Sequence, residues 1–429
     1  MTSILDFVQY KGHPADHKNL LFLGDGFSGN DRSLFKEAVE RITEHLFTKV
    51  KPFDLVREKF NVFYFFSESP SPGISCVYPK LEKDSALGLE YKGGTRLLPR
   101  DDQESAIRDL IATLLLPGEP LILIPGCWQV PEDGAANPLP VGKDRGLVCV
   151  LVNDDVSGGT AFAPVSKEGR DDYDDWIYAC AVSLGLRNYF NFITDSEGRV
   201  VDHVPISVGD SVRNHIPAIT SVVAHELGHS HFGLADEYSE RCLLMDWMLG
   251  PFPTQHPKWQ SLCNRVRSRP NVATEQELDP PGDWASVKWN LPRGGNSDPA
   301  GLRIIDPKVL DYLGRPSEEL RALWKSPLSP VHFRDSKPRC PPELAVLKLK
   351  ADDRRQIIGA YEQGAREYLG VYTPAGICRM RSTHEADGED GFREGTGGDE
   401  ADFCYVCQYA IINQIDPGLL PDLAKKYPR

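Results

Sequence analysis

The sequence predicts an α/β protein built on a mixed or parallel sheet with covered faces. Three observations carry this expectation. Short apolar runs stand at 20–23 (Leu-Leu-Phe-Leu), 60–66 (Phe-Asn-Val-Phe-Tyr-Phe-Phe), 121–124 (Leu-Ile-Leu-Ile) and 147–152 (Leu-Val-Cys-Val-Leu-Val), as strands buried on both faces require. Between the first two, apolar Leu34, Ala38, Val39, Ile42 and Leu46 recur at three- and four-residue steps, which predicts a helix over about 31–50. Strand-like runs alternating with helical segments are the pattern of an α/β layer.

Taken in order, the first strand ends at Gly24-Asp25-Gly26. A glycine-flanked turn after a strand is compatible with a phosphate loop, but no Lys-Ser/Thr follows, so a tight structural turn is the reading. From 251 to 342 Pro, Gly, Trp and charged residues crowd together and periodicity is weak; this predicts a long, loop-rich excursion. Residues 386–401 are rich in Gly and acidic residues and read as a surface loop. No internal repeat is present.

Composition narrows the function classes. The chain has 429 residues, Lys+Arg 48 against Asp+Glu 62 and a formal net charge of −14, so it lacks the basic surplus that a nucleic-acid binder needs. No run approaches the roughly 20 apolar residues of a membrane span. The N-terminus has no basic stretch followed by an apolar one, so a cytoplasmic location is expected, or secretion if a leader has been trimmed. The 10 cysteines are mostly scattered and read as buried small hydrophobes in a reducing compartment. Cys404 and Cys407, with Cys378 upstream, form the one local cluster.

The chemistry concentrates in Ser221-Val-Val-Ala-His225-Glu226-Leu-Gly-His229-Ser-His231-Phe-Gly233-Leu-Ala-Asp236-Glu237-Tyr238. Ser221 is a candidate helix cap, and Val222, Val223, Leu227 and Phe232 form an apolar stripe. On such a helix His225 and His229 project from one face a turn apart, a spacing that lets two nitrogens reach one Zn²⁺ at about 2.0–2.1 Å. Glu226, beside the first histidine, can hold the attacking water and take its proton. Gly233 suits a helix end, after which Asp236, or alternatively Glu237, can supply a third ligand. With 11 histidines in the chain, two core-facing packing histidines are the bland alternative; Gly233 and the acidic pair one turn further on weigh against it. His231 points away from the metal face.

This block resembles the signature of the bacterial IgA-peptidase family of zinc metallo-endopeptidases, His-Glu-x-Gly-His followed by Gly-Leu-x-Asp-Glu-Tyr. Weaker likenesses arrive in order: Leu23-Gly-Asp-Gly-Phe27; Phe60-Asn-Val-Phe63 with Ser71-Pro-Gly-Ile-Ser75; Val150-Leu-Val-Asn-Asp154 with Gly158-Gly159. Asn271-Val-Ala-Thr274, Val287-Lys-Trp289, Gly359 to Pro374, Cys378-Arg-Met-Arg381 and Phe403-Cys-x-x-Cys407 follow. The likeness spans about 20–410, with an apparent insertion between 292 and 347. It implies a metzincin-like zinc peptidase: a mixed sheet with covering helices, a zinc helix at the cleft and an irregular, loop-rich C-terminal subdomain. The implied division is 1–236, ending in the zinc helix and turn, and 237–429, with Met380 as the candidate methionine turn and Met245 a weaker one. His225, His229 and Asp236 are the implied Zn²⁺ ligands and Glu226 the general base. Gly233 and Asp236 each lie one residue later than in ordinary metzincins.

The expected activity is hydrolysis of peptide bonds in a protein or peptide substrate, with Tyr238 a candidate helper at the oxyanion. The alternative is a catalytically silent or latent relative that serves as a binding or regulatory module. A reducing compartment makes latency, or an activating protein partner, reasonable. Cys378, Cys404 and Cys407 are expected to be free thiols or part of a disulfide; with Cys340 or His384 they could hold a second zinc.

Overall fold

The computed structural model describes residues 3–77, 80–92, 96–100, 106–107, 110, 114–115, 147–162, 179–186, 192–194, 196–197, 200–203, 208–237, 257–278, 287–289, 361–365, 367–374, 378–380 and 402–426. The chain divides into two compact units, Met1–His231 and Phe232–Arg429. The expected strand at 121–124 lies outside the described residues, as do Tyr238, Met245, Cys340 and His384.

Among the described residues the first unit is built on a six-stranded sheet. Its strands are β1 (Asp6–Gln9), β2 (Lys18–Asp25), β3 (Phe60–Phe65), β7 (Leu147–Val152), β8 (Gly159–Phe162) and β9 (Ala179–Ser183), in the spatial order β8-β9-β7-β2-β3-β1. The four inner strands run parallel, and the two edge strands are antiparallel to their neighbours. That is a mixed sheet, and its central strand β2 is apolar and fully buried at Leu20, Leu21, Phe22 and Leu23, as a strand covered on both faces must be. On one face Leu21, Leu23, Phe63, Val148 and Val150 pack against Leu89, Tyr91 and Leu97, which come from a small sheet of β4 (Ser75–Cys76), β5 (Leu89–Tyr91) and β6 (Leu97–Pro99). On the other lies helix α1 (Arg32–Lys49), whose Phe35 and Phe47 rings meet Tyr64 and Phe60 at 6.1 and 5.1 Å between centroids. Strand alternation divides Phe63 from Phe60 and Tyr64 in this way. Each large side chain so buried contributes about 1.5–3 kcal/mol.

The Gly24-Asp25-Gly26 segment is a structural turn. Gly26 has φ +74°, and a Cβ there would come within 2.9 Å of the Gly73 carbonyl oxygen, so only glycine fits without strain. Asp25 is fully buried. Its two carboxylate oxygens accept from the backbone N–H groups of Gly26, Leu87 and Leu89 and from the Ser85 hydroxyl. One side chain therefore ties the carboxyl end of β2 to the segment that runs into β5.

Two helices close this unit: α2 (Val208–Asn214) and α3 (Ile216–Phe232). Here the sequence reading needs correction at Ser221. The helix starts at Ile216, with Pro217 in the first turn, where a missing N–H leaves no intrahelical bond unmade. Ser221 is an interior, fully buried position and caps nothing. Gly233 follows α3 with φ +62°, the left-handed conformation that ends helices.

Within the loop-rich stretch 251–342 the second unit holds regular elements that weak periodicity did not reveal. It contains helix α4 (Pro257–Ser268) and strand β10 (Ala273–Thr274). Leu262 and Val266 pack with Val272 and Val371, while Asn264, Arg267 and Ser268 are exposed; this amphipathic turn was hidden by the Pro and Gly on either side of it. β10 pairs with β12 (Glu367–Thr373), which pairs in turn with β11 (Tyr361–Gly364), all antiparallel. Helices α5 (Tyr405–Ile415) and α6 (Leu420–Lys426) follow among the described residues.

Asp25→Asn places an amide N–H₂ where at least one oxygen now accepts. The expected cost at neutral pH is on the order of 2 kcal/mol, read as a lower denaturant midpoint. Burial, outweighing the four donors, raises the Asp25 pKa from 3.8 to about 6. A raised folded pKa stabilises below the unfolded value and loses that contribution as pH climbs. The wild-type advantage over the variant should therefore narrow between pH 3.8 and about 6.

Candidate metal centre

Helix α3 carries the first group. His225 and His229, one turn apart, bring their Nε2 atoms to 3.1 Å with rings at 89° to each other. A tetrahedral zinc bound at about 2.0–2.1 Å separates two nitrogen ligands by about 3.3 Å, so the pair is set at a spacing that fits one ion. Within the continuous segment 225–236, the ligand atoms of His225, His229 and Asp236 all lie within 4.8 Å of one another. Asp236 is buried and follows Gly233 after two residues, and its carbonyl accepts from the Ala365 N–H at 2.7 Å. Two imidazoles and a carboxylate are the donor set of a zinc site that keeps a position open.

Glu226 is buried, 7% exposed, and its neighbours define where it can go. A Cβ built on Gly159 of the edge strand β8 would lie 2.7 Å from Glu226 Oε1, 2.8 Å from its Cγ and 2.7 Å from Val222 Cγ1. Helix α3 thus seats directly on the backbone of β8 at the glutamate. Burial pushes the Cys180 thiol well above its usual value, with Cys149 and the nearby charge of Glu226 adding to the rise; Cys180 is a neutral packing group beneath the helix. His231 turns to Ser230, whose Oγ lies 2.8 Å from its Nδ1.

Glu237, the alternative third ligand, belongs to a different group. Its Oε1 lies 3.1 Å from Cys407 Sγ and 3.7 Å from Cys404 Sγ, and accepts from Asn271 Nδ2 at 3.0 Å. Its backbone N–H donates to the carbonyl of Met380 at 2.8 Å. Met380 is fully buried, unlike an exposed loop methionine. Burial pushes the thiols of Cys404 and Cys407 well up. It acts on Cys378 in the same sense, but the hydrogen bonds from Cys404 and Cys407 outweigh it and hold that thiol well below its usual value. Sequence reasoning missed Glu237 here because its neighbours lie 167 and 170 residues further along; the Cys-x-x-Cys spacing was the available signal.

Residues 7–104 match the family model described as IgA Peptidase M64. This match supports the IgA-peptidase family for the chain. The matched stretch covers β1 to β6, which hold the sheet's central strand and the Asp25 turn, and it stops short of α3. No curated protein matches the chain. The family supports a metallopeptidase, a hydrolase that acts on protein or peptide.

Gly159→Ala tests the seating of α3. The added methyl must displace Glu226 or Val222, and overpacking of this kind costs about 1–3 kcal/mol. Glu226 is one of the two groups in the way, so any cleavage that depends on its carboxylate should fall along with the denaturant midpoint. Unchanged cleavage would show that the close approach does not constrain the glutamate.

Proposed function

We propose that the protein is a zinc-dependent endopeptidase in which His225, His229 and Asp236 hold the metal and Glu226 is the general base. The observation that carries this reading is the 3.1 Å approach of the two histidine Nε2 atoms on one helix face, with a buried glutamate next in sequence. When bound, zinc supplies Lewis acidity, making water acidic enough to attack at neutral pH and polarising the scissile carbonyl. Glu226 takes the proton of the attacking water and delivers it to the leaving amine. Asp236 contributes negative charge that offsets the cation, and its burial supports that role.

The edge strand β8 supports a peptide as substrate. It is antiparallel to β9, it stands at the end of the sheet order, and its Gly159 backbone abuts Glu226. An extended peptide adding to this edge by main-chain hydrogen bonds would lie alongside the general base. Met380 as the methionine turn belongs to the same reading, supported by its complete burial. Cytoplasmic residence is part of the proposal as well: Cys76, Cys149, Cys180, Cys263, Cys378, Cys404 and Cys407 are buried and outside any disulfide among the described residues, which fits a reducing compartment. No helix among those residues is long and apolar enough to cross a membrane. We include partner-controlled latency in the proposal, as a means of restraining a protease in that compartment.

Glu226→Ala should keep zinc at the histidines yet lower cleavage of a peptide library about 10²–10⁴-fold. His229→Ala should lose that zinc and the activity together, measured by metal mass spectrometry and the same assay. Cleavage that survives either change would overturn the mechanism. Zinc retained by wild type without cleavage would favour the latent or silent alternative.

A further inference from the structure

Four buried side chains in the second unit converge: Glu237, Cys378, Cys404 and Cys407, each at most 2% exposed, with their ligand atoms all within 4.8 Å of one another. We propose that these residues form a second metal site, a structural zinc held by three thiolates and one carboxylate, separate from the ion assigned to the histidines.

The spacing fits an ion better than it fits a covalent bridge. A tetrahedral zinc with bonds of about 2.3 Å to sulfur and about 2.0 Å to oxygen separates two sulfurs by about 3.8 Å and a sulfur from an oxygen by about 3.5 Å. Cys378 and Cys407 have their Sγ atoms 3.8 Å apart, and the two sulfur-to-Oε1 distances, 3.1 and 3.7 Å, bracket the second value. A disulfide needs about 2.05 Å.

The surroundings suit anionic sulfur. The backbone N–H of Cys404 points at Cys378 Sγ at 3.2 Å. Cys404 and Cys407 occupy the cap and first turn of α5, where the unsatisfied N–H groups of a helix start favour thiolates. Asn271 donates to the same Glu237 oxygen that faces the sulfurs and so orients the carboxylate. Three thiolates and a carboxylate carry no more negative charge than the four thiolates of a Cys₄ zinc site. Soft sulfur donors select zinc over magnesium or calcium. As the ion binds, each thiol that is protonated releases its proton to solvent.

The site does not depend on the peptidase reading, and the test separates the two. Full-length His229→Ala protein is loaded with Co²⁺, and its spectrum is recorded beside zinc stoichiometry. Thiolate ligation gives an intense near-ultraviolet sulfur-to-cobalt charge-transfer band, which histidines and carboxylates cannot produce. The expected result is one zinc per chain retained and the band present. In His229→Ala combined with Cys407→Ser, that remaining zinc and the band should both be lost. If the double variant does not fold, the His229→Ala spectrum alone decides. Absence of the band, or a Cys378–Cys407 disulfide in the folded, unreduced wild type, would overturn the proposal. Loss of cleavage with the band intact would bear on the histidine site only.

Discussion

The arrangement of the first unit turns on a missing methyl group. Helix α3 rests on the edge strand at Gly159, where the space a Cβ would fill is taken by Glu226 and Val222. A larger residue would lift the helix or turn the glutamate, and both histidines ride on that helix. Packed interiors do not absorb such changes smoothly, so the orientation of three polar side chains is tied to the backbone of one strand. That strand is held in turn by β9, and through β7 by the buried central strand.

The Asp25 turn plays the corresponding part at the carboxyl end of the central strand. Its carboxylate gathers three backbone N–H groups and a hydroxyl that would otherwise be buried without acceptors. Leaving buried donors unsatisfied is costly, and one acidic residue answers four of them. The matched family segment includes this turn and the strands it joins, so the comparison speaks for the scaffold that the site is mounted on. The assignment of the site itself rests on helix periodicity and local geometry.

What could be read from the sequence follows the range of the forces involved. The strand at Leu147–Val152 and helix α1 were legible because apolar periodicity is a local property. The shared face of His225 and His229 was legible for the same reason, since four residues make about one helical turn. Gly233 could be placed because a left-handed residue is required where a helix ends. The start of α3 was misread because Ser221 has the chemistry of a cap, whereas Pro217 four residues earlier sets the boundary. Helix α4 was obscured by its proline- and glycine-rich flanks. The close approach at Gly159 leaves no local trace, and the company of Glu237 leaves only the Cys-x-x-Cys spacing: both are contacts between segments far apart in sequence.

The position of Glu237 bears on the timing of assembly. Its side chain and its amide are engaged by Cys404, Cys407 and the Met380 carbonyl, all supplied by chain that leaves the ribosome well after the helix. The carbonyl of Asp236, its neighbour, likewise accepts from the N–H of Ala365, which also comes later in the chain. The group around Glu237 is thus the part of the second unit that the chain completes last.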